Sequence, residues 1–110
     1  MESRTRTEGV YTVIELAGEV DLSCSPEVRK QILGALKSGQ HLLVDLSAVS
    51  YIDSSGVASL VEGYQVAKRK ALRFGLIGVS QSAMGVLILA RLDKIFPIHT
   101  SVQERIRADG

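Results

Sequence analysis

The sequence predicts an α/β domain with a mixed, mainly parallel sheet of about five strands and about four helices packed on it. Three observations point there. Segments with the two-residue period of strands alternate with segments of helical period along the chain. The run Leu42-Leu43-Val44 has no polar face, which suits a strand covered on both sides. Hydroxyl residues and glycines stand where helices would start and stop. The 110 residues fit one domain, 1–110, with its core over about 10–107.

The elements follow in order. Ser3 to Thr7 alternates Thr and Arg, which suits an edge strand, and Glu8-Gly9 is the turn after it. Val10 to Leu16 alternates as a second strand, and Gly18 to Leu22 is expected to be a loop. Ser25-Pro26-Glu27 is a helix start, with Ser25 as the expected cap. Val28, Ile32 and Leu36 follow at one-turn spacing, with Leu33 beside them, and the helix ends near Ser38-Gly39. His41 to Leu46 is the buried strand, and Ser47 to Ser50 is expected to be a polar turn. Val57, Leu60, Val61, Tyr64 and Ala67 mark the clearest helix. Leu72 to Val79 reads as a strand, Ser80 caps a helix reaching Leu92, and Ile95 to Ile98 is a last short strand. Ser101-Val102-Gln103-Glu104 fits a capping box for a C-terminal helix.

Composition narrows function. Apolar residues make up 45% and charged residues 23%, the balance of a soluble globular domain. With 13 basic and 12 acidic residues the net charge is +1, which argues against a direct nucleic-acid binder. The densest basic run, Lys68-Arg69-Lys70, suits a helix C-terminus. The single cysteine, Cys24, fits a reducing compartment. The N-terminus lacks the apolar core of a signal peptide, and the longest apolar stretch, Val86 to Ala90, is far short of the ~20 residues of a membrane span. A cytoplasmic protein without membrane insertion is expected.

Chemistry concentrates in Asp53-Ser54-Ser55-Gly56, between the buried strand and the clearest helix. A helix N-terminus offers unpaired N–H groups and partial positive charge, so it stabilises an anion, phosphate included. Gly56 permits close backbone approach. Ordinary capping by Asp53 or a serine satisfies the same residues, and the two roles are compatible. A serine hydrolase needs a histidine at the serine. There is no Gly-x-Ser-x-Gly, and the only histidines are His41 and His99. A ~5-residue strand would hold His41 roughly 17 Å from Ser54, whereas His99, after the last strand, is free to lie nearer. No metal-ligand spacing or nucleotide-binding glycine loop occurs. The expectation is therefore a protein that is not an enzyme, with no catalytic residues, no metal site and no cofactor. Met84 to Leu92 is apolar on nearly every helical face; it is either deeply packed or turns Met84, Ile88 or Leu89 toward a partner.

Three stretches resemble one family. Gly18-Glu19-Val20-Asp21, Asp45 through Gly56, and Leu92-Asp93-Lys94-Ile95-Phe96 are similar to motifs of the STAS domain, in particular the small bacterial anti-sigma factor antagonists. The likeness runs from about Val10 to Ile106. It implies that Ser54, and secondarily Ser55, is a phospho-acceptor for a partner serine kinase that is also the anti-sigma factor. A phosphatase would reset it, and the unmodified form would release a sigma factor. It also implies a partner-binding surface of Asp21, Asp53, Ser54, Ser55 and Gly56. Two departures, Val57-Ala58 for the usual Leu-Gly and Ala90-Arg91 for a common Thr-Gly, leave an alternative open. Other STAS proteins are cytoplasmic subunits of lipid-transport ABC systems, where the partner would be an ABC transporter subunit.

Overall fold

The computed structural model describes residues 1–110. Its elements are β1 (Glu2–Glu8), β2 (Tyr11–Val20), α1 (Ser25–Lys37), β3 (His41–Ile52), α2 (Ser54–Arg69), β4 (Phe74–Ile77), α3 (Gln81–Leu89), β5 (Ile98–His99) and α4 (Val102–Asp109). One sheet carries the strands in the order β1-β2-β3-β4-β5. β1 runs antiparallel to β2 through a turn at Gly9, and every other pair is parallel. Parallel neighbours need a crossover, and α1, α2 and α3 supply the three. Their N-termini therefore gather at one pole of the sheet and their C-termini at the other.

The two sheet faces are unequal. Ile14, Leu16, Leu42, Val44, Leu46 and Leu76 face one way and join the main core with Ile32 and Leu36 of α1 and Leu60 of α2. Tyr11, Val13, Leu43 and Ile77 face the other way, against Val102 of α4. Burial of both faces is why β3 has no polar side over Leu42–Val44. α4 is also held by polar contacts. The buried Arg105 donates to the Phe74 carbonyl at 3.0 Å and to Asp109 Oδ1 at 2.9 Å, and the Tyr11 hydroxyl donates to Asp109. No helix is long and apolar enough to cross a membrane.

Several expectations are corrected. Gly18–Val20 is strand, not loop, because these residues pair with Val49, Tyr51 and Ile52. Ser47–Ser50 is likewise not a turn but part of β3. Register shifts between Glu15 and Ala17 and between Gly18 and Glu19 let the ladder continue past these small polar residues, while Val20 and Val49 stay buried. Ser25 does not cap α1; it is its buried first residue. Cys24 stands at the cap, its side chain making no capping bond to the helix, and the Asp21 carbonyl accepts from Cys24 and Ser25 N–H at 3.1 and 2.8 Å. β4 is only Phe74–Ile77, and β5 is Ile98–His99, not Ile95–Ile98. There the chain turns at Leu92 to bury Phe96 between Tyr64 and Phe74, with ring centroids 5.7 and 6.3 Å away. α3 stops at Leu89 rather than Leu92 and is not deeply packed. Only Ala83 and Leu87 are buried, and Ile88 and Leu89 face outward. Of the three residues named for an outward face, Ile88 and Leu89 are exposed and Met84 is half-buried.

Candidate functional site

The helix N-terminal pole carries Asp53-Ser54-Ser55-Gly56. Buried Ile52 ends β3, and the Asp53 N–H donates to the Val20 carbonyl at 3.1 Å, which holds the chain against the end of β2 as it turns into α2. Asp53 is then the α2 cap. Its Oδ1 accepts from the N–H groups of Ser55 and Gly56 at 3.0 and 3.1 Å and from the Ser55 hydroxyl at 2.5 Å. Its Oδ2 accepts from the Leu22 N–H at 3.1 Å. One carboxylate thus fixes the start of α2 and the loop before α1 together.

Gly56 explains how close these elements come. A Cβ placed there would lie 2.8 Å from Ile52 Cγ1 and 2.9 Å from Val20 Cγ1, both side chains being buried. Only glycine lets the first turn of α2 sit directly on the ends of β2 and β3.

Asp21 shapes the neighbouring loop. Its Oδ1 accepts from the Ser23 N–H at 3.0 Å and the Ser23 hydroxyl at 2.5 Å. The Ser23 hydroxyl is the main reason that the Asp21 carboxyl is held below the ordinary range, and the nearby Asp53 charge works the other way. The Ser55 hydroxyl does the same for Asp53, with help from the Gly56, Ser55 and Leu22 N–H groups. Both carboxylates are ionised at neutral pH, so the pole carries two adjacent negative charges.

The two serines differ. The Ser55 hydroxyl is tied to Asp53 and the residue is half-buried. Ser54 is exposed at the first position of α2, with no side-chain hydrogen bond. The anion cradle expected at this helix start is already filled by the Asp53 carboxylate, which takes the Ser55 and Gly56 N–H groups. A second anion here would feel the helix dipole without those hydrogen bonds.

All five residues singled out in the sequence, Asp21, Asp53, Ser54, Ser55 and Gly56, come together at this pole. Two apolar neighbours were not singled out. Leu22, whose N–H donates to Asp53, is 72% exposed, and Tyr51, two residues before Asp53, is 50% exposed. Nothing local marks Leu22, because its exposure follows from the Asp21–Asp53 loop geometry. Tyr51 carries a signal of period two: it alternates with the core residue Ile52 and so faces the opposite side of the strand.

The histidines lie elsewhere. His41 begins β3 at the opposite pole, where its Nδ1 accepts from the Arg73 N–H at 3.0 Å. His99 pairs with Ile77, in the sheet layer next to α4. No group of three or more His, Cys, Asp or Glu side chains is placed to hold a metal ion.

This fold and this capped, acidic corner define an α/β domain whose polar chemistry is gathered at one helix start. The family model described as "Mlab, STAS domain" matches residues 3–100, and the chain belongs to the STAS domain family. It is 28% identical over 89 residues to an anti-sigma F factor antagonist of Paenibacillus polymyxa, covering 79% of this chain and 76% of that one. It is 26% identical over 85 residues to an anti-sigma-B factor antagonist of Bacillus subtilis, covering 77% and 78%. Among solved structures, it is similar to an anti-sigma-factor antagonist (STAS) domain protein from Planctomyces limnophilus, with TM-score 0.85, 25% identity and 96% coverage of both chains. The fold also matches SpoIIAA of Bacillus in its phosphorylated form, with TM-score 0.77, 21% identity and coverage of 99% and 100%.

Proposed function

We propose that this chain is an anti-sigma factor antagonist that acts by binding, not catalysis. In this reading a cytoplasmic serine kinase that is also the anti-sigma factor binds the Asp53–Gly56 corner, and phosphorylation of Ser54 switches binding off. The observation that carries it is the contrast between the serines: the Ser54 hydroxyl is exposed and unbonded on a rigid corner, while that of Ser55 is held by Asp53. The names of the curated relatives support the antagonist role.

The kinase would transfer the γ-phosphoryl group of ATP to Ser54 Oγ, releasing ADP and the hydroxyl proton. The phosphate adds about −1.5 to −2 charges beside Asp53 and Asp21. With the Ser55 and Gly56 N–H groups already taken by Asp53, that charge faces outward at the pole where Leu22 and Tyr51 are also exposed. Repulsion and desolvation costing ~3 kcal/mol would weaken binding more than about a hundredfold. A phosphatase restores the binding form.

The test is mass spectrometry after incubation with the cognate kinase and ATP. One phosphate on the wild type, none on Ser54→Ala, and retained kinase binding by Ser54→Ala are expected. Full modification of Ser54→Ala would refute Ser54 as the site; modification lost only in Ser55→Ala moves it by one residue.

The family match itself favours a second reading, because its description names Mlab and no antagonist. In that reading the chain is an accessory subunit of a lipid-transport ABC system and docks constitutively through the same corner. A pull-down that recovers ABC transporter subunits and no kinase decides for it.

A further inference from the structure

We propose that the pole opposite Ser54 is a peripheral docking surface for an anionic phospholipid bilayer. The parallel topology brings the C-terminal ends of α1, α2 and α3 to this pole. Lys37, Lys68, Arg69, Lys70, Arg91 and Lys94 stand there, all exposed and none in an ion pair. Asp93 is the one unpaired acid among them, since Asp109 is bonded to Arg73 and Arg105. The turn after α3 is tied to the end of α2 by Phe96 against Tyr64, one helical turn before Lys68, and by a shallow hollow that Lys68 shares with Pro97. The basic residues of the two segments therefore form one surface.

Helix dipoles explain Lys37, Lys68 and Arg69, which lie in last turns. They do not explain the apolar residues. Leu89 is 87% exposed, Ile88 53% and Ile95 51%, and they flank Arg91 and Lys94. Exposed aliphatic side chains interleaved with Lys and Arg match a lipid interface, where the chains enter the headgroup boundary and the cations meet lipid phosphates. A nucleic acid would use the cations but leave Leu89 and Ile95 idle, and the pole offers no exposed aromatic ring for base stacking. Docked this way, the domain presents Ser54 away from the membrane.

The experiment is flotation of the full chain with vesicles of phosphatidylcholine alone or with about one-third phosphatidylglycerol, at low and high salt. Binding to the anionic vesicles only, weakened at least tenfold by salt, is expected. Arg91→Glu with Lys94→Glu should weaken it by about thirtyfold or more, and Leu89→Ser by about tenfold. Ser54→Ala should leave it unchanged, which separates this surface from the proposed switch. All these positions are exposed, and matching circular dichroism spectra and melting temperatures verify the fold; Lys68→Ala with Arg69→Ala serves if the first pair does not fold. No binding to anionic vesicles, or binding that all these basic and Leu89 variants leave unchanged, overturns the proposal. So does tighter binding of a single-stranded oligonucleotide that is indifferent to Leu89→Ser, which assigns the pole to nucleic acid. A dimer that Leu89→Ser dissociates, with vesicle binding unaltered, assigns it to a second copy of the chain.

Discussion

Replacing Gly56 with alanine should destabilise the domain even though alanine is the better helix former. Two effects oppose each other. In a helix interior, alanine is favoured over glycine by ~1 kcal/mol, and less at the first turn, where Gly56 lies. Against this, the new Cβ meets Ile52 Cγ1 at 2.8 Å and Val20 Cγ1 at 2.9 Å, inside any normal contact distance. Both neighbours are buried at strand ends, so relief requires lifting the first turn of α2 off the sheet. Overpacking of this kind costs about 1–3 kcal/mol, leaving a net loss of about 1–2 kcal/mol. Unfolding entropy of ~2.1 cal/mol/K per residue converts that to a melting temperature lower by roughly 4–9 °C. Gly34→Ala is the matched control. Gly34 lies on the exposed face of α1, and a Cβ there has nothing within 4 Å, so that variant should gain about 0.5–1 kcal/mol. Urea unfolding of both variants measures the difference. If Gly56→Ala is as stable as Gly34→Ala, the close approach of α2 to the ends of β2 and β3 is wrong, and so is the rigid setting assigned to Ser54.

Leu87→Ala should cost about 2–5 kcal/mol, since Leu87 is fully buried, whereas Leu89→Ala should stay within about 0.5 kcal/mol; urea unfolding of the pair checks which face of α3 packs inward. Burial raises the Asp109 carboxyl, but hydrogen bonds from Tyr11 and Arg105 and the charges of Arg105 and Arg73 outweigh it and leave a lowered pKa. Its stabilisation is therefore present above the unfolded carboxyl pKa of ~3.9 and is lost as pH falls through the lower folded value. Thermal melts from neutral to acid pH should show that loss, reduced in Asp109→Asn. Ser54→Asp, adding charge at an exposed position, should leave the melting temperature nearly unchanged yet weaken kinase binding by at least tenfold, as read by calorimetry.

Periodicity made most elements legible. The one-turn spacing of Val57, Leu60, Tyr64 and Ala67 marked α2, and Ser101 with Glu104 marked α4. There the Ser101 hydroxyl does accept from Glu104 N–H at 3.1 Å, although the Glu104 carboxylate reaches Thr100 rather than Ser101. The errors share one cause. Gly18-Glu19-Val20 and Ser47 to Ser50 have turn-like composition, but Gly18, Glu19 and Val20 pair with Val49, Tyr51 and Ile52, and Ala48 pairs with Ala17; a backbone pairing between strands about thirty residues apart has no local signature. Ser25 failed as a cap for a related reason, because a loop carbonyl three-dimensionally placed by Asp21 did the work instead.

The candidate site divides the same way. Residue order alone was enough to put Asp53-Ser54-Ser55-Gly56 at the start of α2, with Asp53 or a serine as its cap, because capping chemistry and parallel β-α-β connection are local or topological rules. Which serine stays free was not in that order. It depends on the Asp53 carboxylate reaching Ser55 on its own helix and Leu22 on another loop at once. The apolar run Met84 to Leu92 shows the same limit: its composition is indifferent to direction, and only the sheet beneath α3 decides that Leu87 is covered while Leu89 meets the solvent. Burial is a property of what packs against a residue, and that partner lies elsewhere in the chain.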